Sequence, residues 1–332
     1  MRDSEPAGTA TRQRPATSII QPVRSIHHGW IAGKDLLTAA KLFCCLLAAT
    51  APAQRWPARA ESLARAHLRV QKRSQRLLAH STAFGDQDAE SRARATFAWD
   101  YLANIQAIRE LLPGGWNARF DIAGRESLDQ ALGRLRGAVL WFSPFAGAFL
   151  AMIKALEPYS LTQLSTPSHP FSPTWFGTRW LNPIRVRVEN RYLARRVRVV
   201  YGNARPALDV LAQILRDNGV VSIMAIGSGR QSHAYPFLGG VLRLALGAPR
   251  LACETGAALV PVFARADDSG GYRVELGPDL MPTGALALEQ ALPAITARYV
   301  ELLQPIVAAD PAKWQGWFYP GTWRPSPSEE AA

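Results

Sequence analysis

Apolar residues in this chain come in compact blocks, and the length and flanks of each block decide which element it predicts. Residues 137–142, 220–226 and 259–264 are short, nearly continuous apolar runs, the pattern of strands buried on both faces. The shorter runs at 186–188 and 197–201 read as strands flanked by arginines, and 272–276 as an edge strand. Helical spacing recurs at 88–112, 126–135, 148–156, 207–217 and 286–303. Pro113-Gly114-Gly115 stops the first of these helices and Asn218-Gly219 the fourth. Alternation of this kind predicts an α/β fold: a mostly parallel central sheet flanked by helices on both faces. No internal repeat divides it, so residues 81–324 are expected to form one domain, followed by a flexible tail at 325–332.

The first 33 residues are polar and contain proline, without the layout of an export signal, and are expected to be a flexible leader. Residues 36–53 then read LLTAAKLFCCLLAATAPA. With Lys41 inside it, this stretch is short for a membrane span, and it predicts either an interfacial anchor helix or an ordinary packed one. Arg55, Arg59, Arg65, Arg69, Lys72, Arg73 and Arg76 follow at helical spacing, opposed by Glu61. An apolar helix beside a basic one suits an anionic inner leaflet, so 34–80 is expected to associate with a membrane; a solvated basic face is the alternative.

Charge points the same way. The 332 residues carry a net +12, mostly as arginine, which favours a partner rich in phosphate or carboxylate: nucleic acid, anionic lipid or an acidic carrier protein. The arginines accompany no nucleic-acid module and the aromatics are scattered, so nucleic acid is not the expected partner. Three cysteines, two adjacent and one alone, offer neither a disulfide framework nor a metal spacing, as in a reducing cytoplasm.

The most specific stretch begins at Tyr235-Pro236-Phe237-Leu238-Gly239-Gly240. It continues through Gly247-Ala248-Pro249, Thr255-Gly256-Ala257 and Leu259-Val260-Pro261-Val262-Phe263. This order resembles the late acyltransferases of lipid A biosynthesis, within the glycerolipid acyltransferase superfamily. Gly124-Arg125-Glu126-Ser127-Leu128, Asn203-Ala204-Arg205 and the segment 314–319 fall where that family has related pieces. The resemblance spans roughly residues 36–320. It implies transfer of an acyl chain from acyl-carrier protein or acyl-CoA to an amphipathic or lipid acceptor, at the cytoplasmic face of the inner membrane, with no cofactor.

In that family a histidine, four intervening residues and an acid sit on the turn after the first core strand; the His takes the acceptor's proton and the acid orients its ring. Aligned on Gly147, those positions hold Phe145 and Leu150, and neither side chain can carry a proton. Ser143, at the end of the same strand, and His233 are the remaining catalytic candidates. A plain turn residue and a surface-loop histidine are the respective alternatives. The resemblance makes Arg230 an acceptor-phosphate ligand and places Gly147, Phe145, Phe237, Gly239 and Arg205 along the substrate site. His169, in a Pro- and Ser-rich loop, has a weaker claim, and Asp209 and Asp217 read as solvated. Gly227-Ser228-Gly229 lacks the Walker lysine and the dinucleotide glycine pattern, which argues against a nucleotide; it suits a tight turn offering N–H groups to a lipid phosphate. A second basic cluster (Arg185, Arg187, Arg191, Arg195, Arg196, Arg198) is expected to receive head groups or an acidic carrier. The missing pair leaves two further functions open: a catalytically silent lipid- or carrier-binding partner subunit, and an enzyme that uses the same pocket for another transfer.

Overall fold

A computed structural model describes residues 29–70, 89–166, 171–199, 203–227, 231–267, 270–284, 287–319 and 321–325. The strands are β1 (Phe120–Ala123), β2 (Ala138–Phe142), β3 (Thr162–Ser165), β4 (Arg195–Arg198), β5 (Val220–Met224), β6 (Ser232–Phe237), β7 (Gly240–Ala245), β8 (Ala258–Ala266), β9 (Tyr272–Leu276) and β10 (Trp323–Pro325). The helices are α1 (Gly33–Ala49), α2 (Trp56–Val70), α3 (Ala89–Leu111), α4 (Arg125–Gly133), α5 (Ala148–Ala155), α6 (Asn182–Glu189), α7 (Arg205–Arg216), α8 (Gly247–Thr255) and α9 (Leu288–Ala309).

Seven strands form the main sheet in the order β1-β9-β8-β2-β5-β3-β4. β2 lies at its centre, parallel to both β5 and β8, and every one of its residues is buried. This is why its sequence is apolar throughout instead of alternating. The β8–β9 hairpin supplies the antiparallel pair, and β1 adds parallel to β9. A smaller antiparallel sheet, β10-β7-β6, leaves the end of β5.

Three expectations need correction. The stretch at 186–188 belongs to α6, where Arg185 and Glu189 pair at 3.2 Å across one helical turn. The strand at 272–276 is covered by β1 and is not an edge. His233 lies within β6, not in a loop.

The apolar N-terminal helix has two unlike faces. Leu42, Cys45, Ala48 and Ala49 of α1 are buried, and the helix packs on α3, whereas Leu36, Leu37, Phe43, Leu46 and Leu47 face water. Among the described residues, no helix is long and apolar enough to cross a membrane. Lys41 turns inward to Asp100 of α3 at 2.5 Å. At the start of α1, buried Asp35 accepts from the Ala32 N–H at 2.8 Å and the Thr174 hydroxyl at 2.7 Å. Burial alone would raise this carboxyl's pKa, but hydrogen bonds from Ser172, Ala32 and Thr174 bring it below the ordinary value.

The basic clusters are partly spent inside the molecule. Arg59 of α2 donates to the Leu47 carbonyl at the end of α1, 3.0 Å away, while Arg55 and Arg65 are exposed. Lys72, Arg73, Arg76 and the Arg69 side chain lie outside the described residues. In the second cluster, Arg196 is buried against Glu189 at 2.7 Å, Arg185 pairs with the same carboxylate, and Arg191 donates to the Glu110 carbonyl. Arg187, Arg195 and Arg198 of that set are exposed, so fewer of its arginines are turned wholly to solvent than the sequence suggested.

Candidate active site

In open α/β sheets, ligands collect beyond the carboxyl ends of the parallel strands. β2 ends there, and residues 143–147 make the turn into α5. The turn is held from the opposite side by the C-terminal segment. The Ala146 N–H donates to Lys313 O at 2.9 Å, the Gln315 N–H to Pro144 O at 2.7 Å, and Phe145 bridges Trp314.

Gly147 ends the turn with φ near 70°, the left-handed region that favours glycine. Space requires glycine as well: a Cβ there would lie 2.2 Å from the Tyr272 hydroxyl. That hydroxyl donates to Gln106 Oε1 at 2.8 Å, tying the turn to α3 and β9. Burial pushes the Tyr272 phenol's pKa up, so it stays neutral and remains a donor.

Phe145 and Leu150, at the positions of the expected proton-handling pair, are 4% and 3% exposed. Phe149 stacks on Phe142 with ring centroids 5.3 Å apart. The turn therefore points apolar side chains into the core.

Ser143 is 1% exposed, and its hydroxyl accepts a hydrogen bond from Trp314 Nε1 at 2.9 Å. The Tyr299 hydroxyl approaches it without meeting hydrogen-bond geometry. Burial raises the Tyr299 pKa, so this neighbour is no base for Ser143. This geometry lends the expected nucleophile no support: the Ser143 hydroxyl is shielded from solvent and holds Trp314.

The Tyr235–Gly240 stretch forms the β6–β7 hairpin. Leu238 and Gly239, both at positive φ, make its two-residue turn. Phe237 is buried, with its ring 5.3 Å from Trp314, so the hairpin and the β2 turn do meet across that indole. Trp317 packs edge-on to Trp314, and Trp323 edge-on to Trp317; Trp323 Nε1 then donates to Phe237 O at 3.1 Å.

His233 shares the strand face of Phe237 but lies four residues earlier, roughly 13 Å along β6. It is half-buried. Its ring neighbours Tyr235, whose hydroxyl donates to Pro293 O at 2.9 Å. Gly239 is a turn residue with an exposed backbone. Arg205, expected along the substrate site, has a side chain that is 80% exposed and pairs with Asp209 one turn on in α7, 3.0 Å away. The Gly227 N–H is also spoken for, donating to Thr322 Oγ1 at 2.9 Å, and is not offered to a phosphate. Arg230, Ser228, Gly229 and His169 lie outside the described residues.

An open groove of about 550 Å³ runs between the hairpin and α9, lined by Tyr235, Pro236, Leu238, Val300, Glu301 and Pro305 among others. From the family-like stretch between Tyr235 and Phe263, only Tyr235, Pro236 and Leu238 reach this groove, and Ser143 does not.

Sequence reasoning passed over Trp314 as the joint of the site, along with Tyr299, Tyr272 and Gln106. Three tryptophans within ten residues near the C-terminus were the available signal for the joint. Nothing local linked Gln106 to Tyr272, 166 residues away.

Residues 58–321 match the family described as bacterial lipid A biosynthesis acyltransferase. A phosphatidylinositol mannoside acyltransferase of Mycobacterium tuberculosis is 29% identical over 208 residues, covering 58% of this chain and 57% of that protein. A protein of the same description from Mycolicibacterium smegmatis is 30% identical over 182 residues, covering 54% and 57%. The chain thus spans a little over half the length of the curated relatives it matches.

Proposed function

The chain belongs to the bacterial lipid A biosynthesis acyltransferase family, and from that premise we propose that it moves an acyl chain from acyl-carrier protein or acyl-CoA to an amphipathic acceptor at the cytoplasmic face of an anionic membrane. In such a transfer the acceptor's hydroxyl or amine attacks the thioester carbonyl. A C–O or C–N bond forms, the C–S bond breaks, and the acceptor's proton ends on the departing thiolate. The support is architectural: the parallel sheet, the β2 turn with its left-handed Gly147, and the hairpin that meets this turn through Phe237 and Trp314.

Proton handling here departs from the usual pair, because Phe145 and Leu150 have no ionisable group. Ser143 is engaged by Trp314. The proposal therefore gives the proton step to His233, and the acceptor's phosphate or carboxylate to Arg230. The curated relatives named for phosphatidylinositol mannoside acylation favour an acceptor joining an anionic lipid to a sugar. A second reading, a silent subunit that binds carrier or lipid, is favoured by one observation: the two dyad positions are filled with buried apolar side chains.

Incubation of the full chain with acyl-carrier or acyl-CoA thioesters and phosphoglycolipid acceptors, followed by mass spectrometry, separates the two. Acylated acceptor is expected, with a loss of about 100-fold in His233→Ala, the scale of a general base. Folded protein that retains carrier or lipid but yields no product would overturn transfer and leave the silent subunit.

A further inference from the structure

We infer that the outer face of α1, joined by Trp30 and Trp180, is a bilayer-docking surface on which α1 lies in the plane of the membrane. This rests on the membrane-surface part of the proposed function and says which face meets the lipid.

Among the described residues, nine large hydrophobic side chains are exposed, and eight belong to this region; the ninth, Leu135, lies elsewhere, in the link between α4 and β2. A soluble surface scatters such residues, whereas a concentrated set marks an interaction site. Leu36, Phe43 and Leu47 are 59%, 60% and 53% exposed. At 100° per residue they fall within an arc of about 40°, a single stripe on the helix. The buried residues of α1, Leu42, Cys45 and Ala49, occupy the other side.

The stripe continues past the helix start. The Trp175 and Phe176 N–H groups donate to Gly29 O and Trp30 O at 3.1 and 2.9 Å, and the Trp30 and Trp175 rings lie 4.9 Å apart. The π-helical turn Gly177–Leu181 packs beside α1 and carries Trp180, 55% exposed. Trp30 is 74% exposed. Indoles at the margin of an apolar face are suited to the head-group layer, with an apolar body and a polar N–H.

Charge chooses the partner. The single acid on α1 is Asp35, which is fully buried, and the π-helical turn carries none. The outward charges on these two elements are Lys34 and Arg179, the latter 5.0 Å from the Trp180 ring centre. Positive charge beside a convex apolar stripe complements an anionic bilayer, into which separate side chains can insert without a matching groove. At 17 residues, α1 is about 25 Å long, which suits lying in the interface. Asp35 and Lys41 fasten its inner side to the body, so the outer stripe is held outward.

Flotation of the full chain with vesicles of phosphatidylcholine and phosphatidylglycerol tests this. The wild type is expected to float, and Phe43→Glu with Leu47→Glu to reduce the bound fraction at least tenfold. Leu135→Glu, the control for an exposed apolar residue elsewhere, should float like the wild type. Vesicles with brominated acyl chains give a second measure that does not depend on the glutamate variants folding. They should quench wild-type tryptophan emission, and quench it less in Trp30→Phe with Trp180→Phe. Absence of wild-type flotation, or equal flotation of the double glutamate variant, overturns the docking face. So does a wild-type dimer that the glutamates dissociate while no vesicle binds, since a second copy would then cover the stripe. Flotation without acyl transfer removes the proposed reaction and leaves the face standing; transfer without flotation does the reverse.

Discussion

The turn after β2 and the outer stripe of α1 contain the same kinds of side chain, chiefly Phe and Leu, in opposite surroundings. At the turn, Phe145, Phe149 and Leu150 are buried, and Phe149 stacks on Phe142. On α1, Phe43 and Leu47 stand in water, although their helix has a well-packed inner face. Apolar burial is favourable by about 25 cal/mol per Å². The turn realises that gain within the chain, while the stripe leaves it to be realised on another surface. The turn that would carry a proton relay is thus part of the core, and the exposed apolar surface lies elsewhere.

The contrast can be broken most severely at Trp314. Replacing it by Ala removes a fully buried indole that touches Phe237 and Trp317 and holds Ser143. A loss of about 3–5 kcal/mol is expected, measured by chemical denaturation. Gly147→Ala comes next: its Cβ meets the Tyr272 hydroxyl and its φ is left-handed. About 2–3 kcal/mol and a melting temperature lower by several degrees are expected, with the Tyr272–Gln106 hydrogen bond displaced. The smallest effect belongs to the stripe. Phe43→Ser is expected to change stability by no more than about 0.5 kcal/mol, because the side chain has little to lose on its own surface. A Phe43→Ser cost equal to that of Gly147→Ala would mean that the stripe is packed in solution and that the contrast does not hold.

The central strands were readable because burial on both faces leaves an apolar run that needs no partner to be recognised, as with Ala138–Phe142 and Val220–Met224. Short edge elements were harder to read. Val186 and Val188 alternate with arginines like a strand, and only Glu189, four residues after Arg185, signals the helix they occupy. The loss of the proton-handling pair was visible from Phe145 and Leu150, since residue type alone excludes that chemistry. The status of Ser143 was not visible, because the indole that occupies it comes from 171 residues further along the chain.

By itself, then, the sequence determined the class of fold, the order of the central strands and helices along the chain, the family likeness and the absence of an ionisable pair at the β2 turn. Each of these depends on local residue type and spacing. Tertiary structure alone decided that Ser143 is sealed by Trp314, that half of the second arginine cluster is internally engaged, and that one face of α1 is packed while the other is bare. These outcomes depend on which distant segments meet, and an apolar or charged residue carries no local mark of whether its partner is protein or solvent.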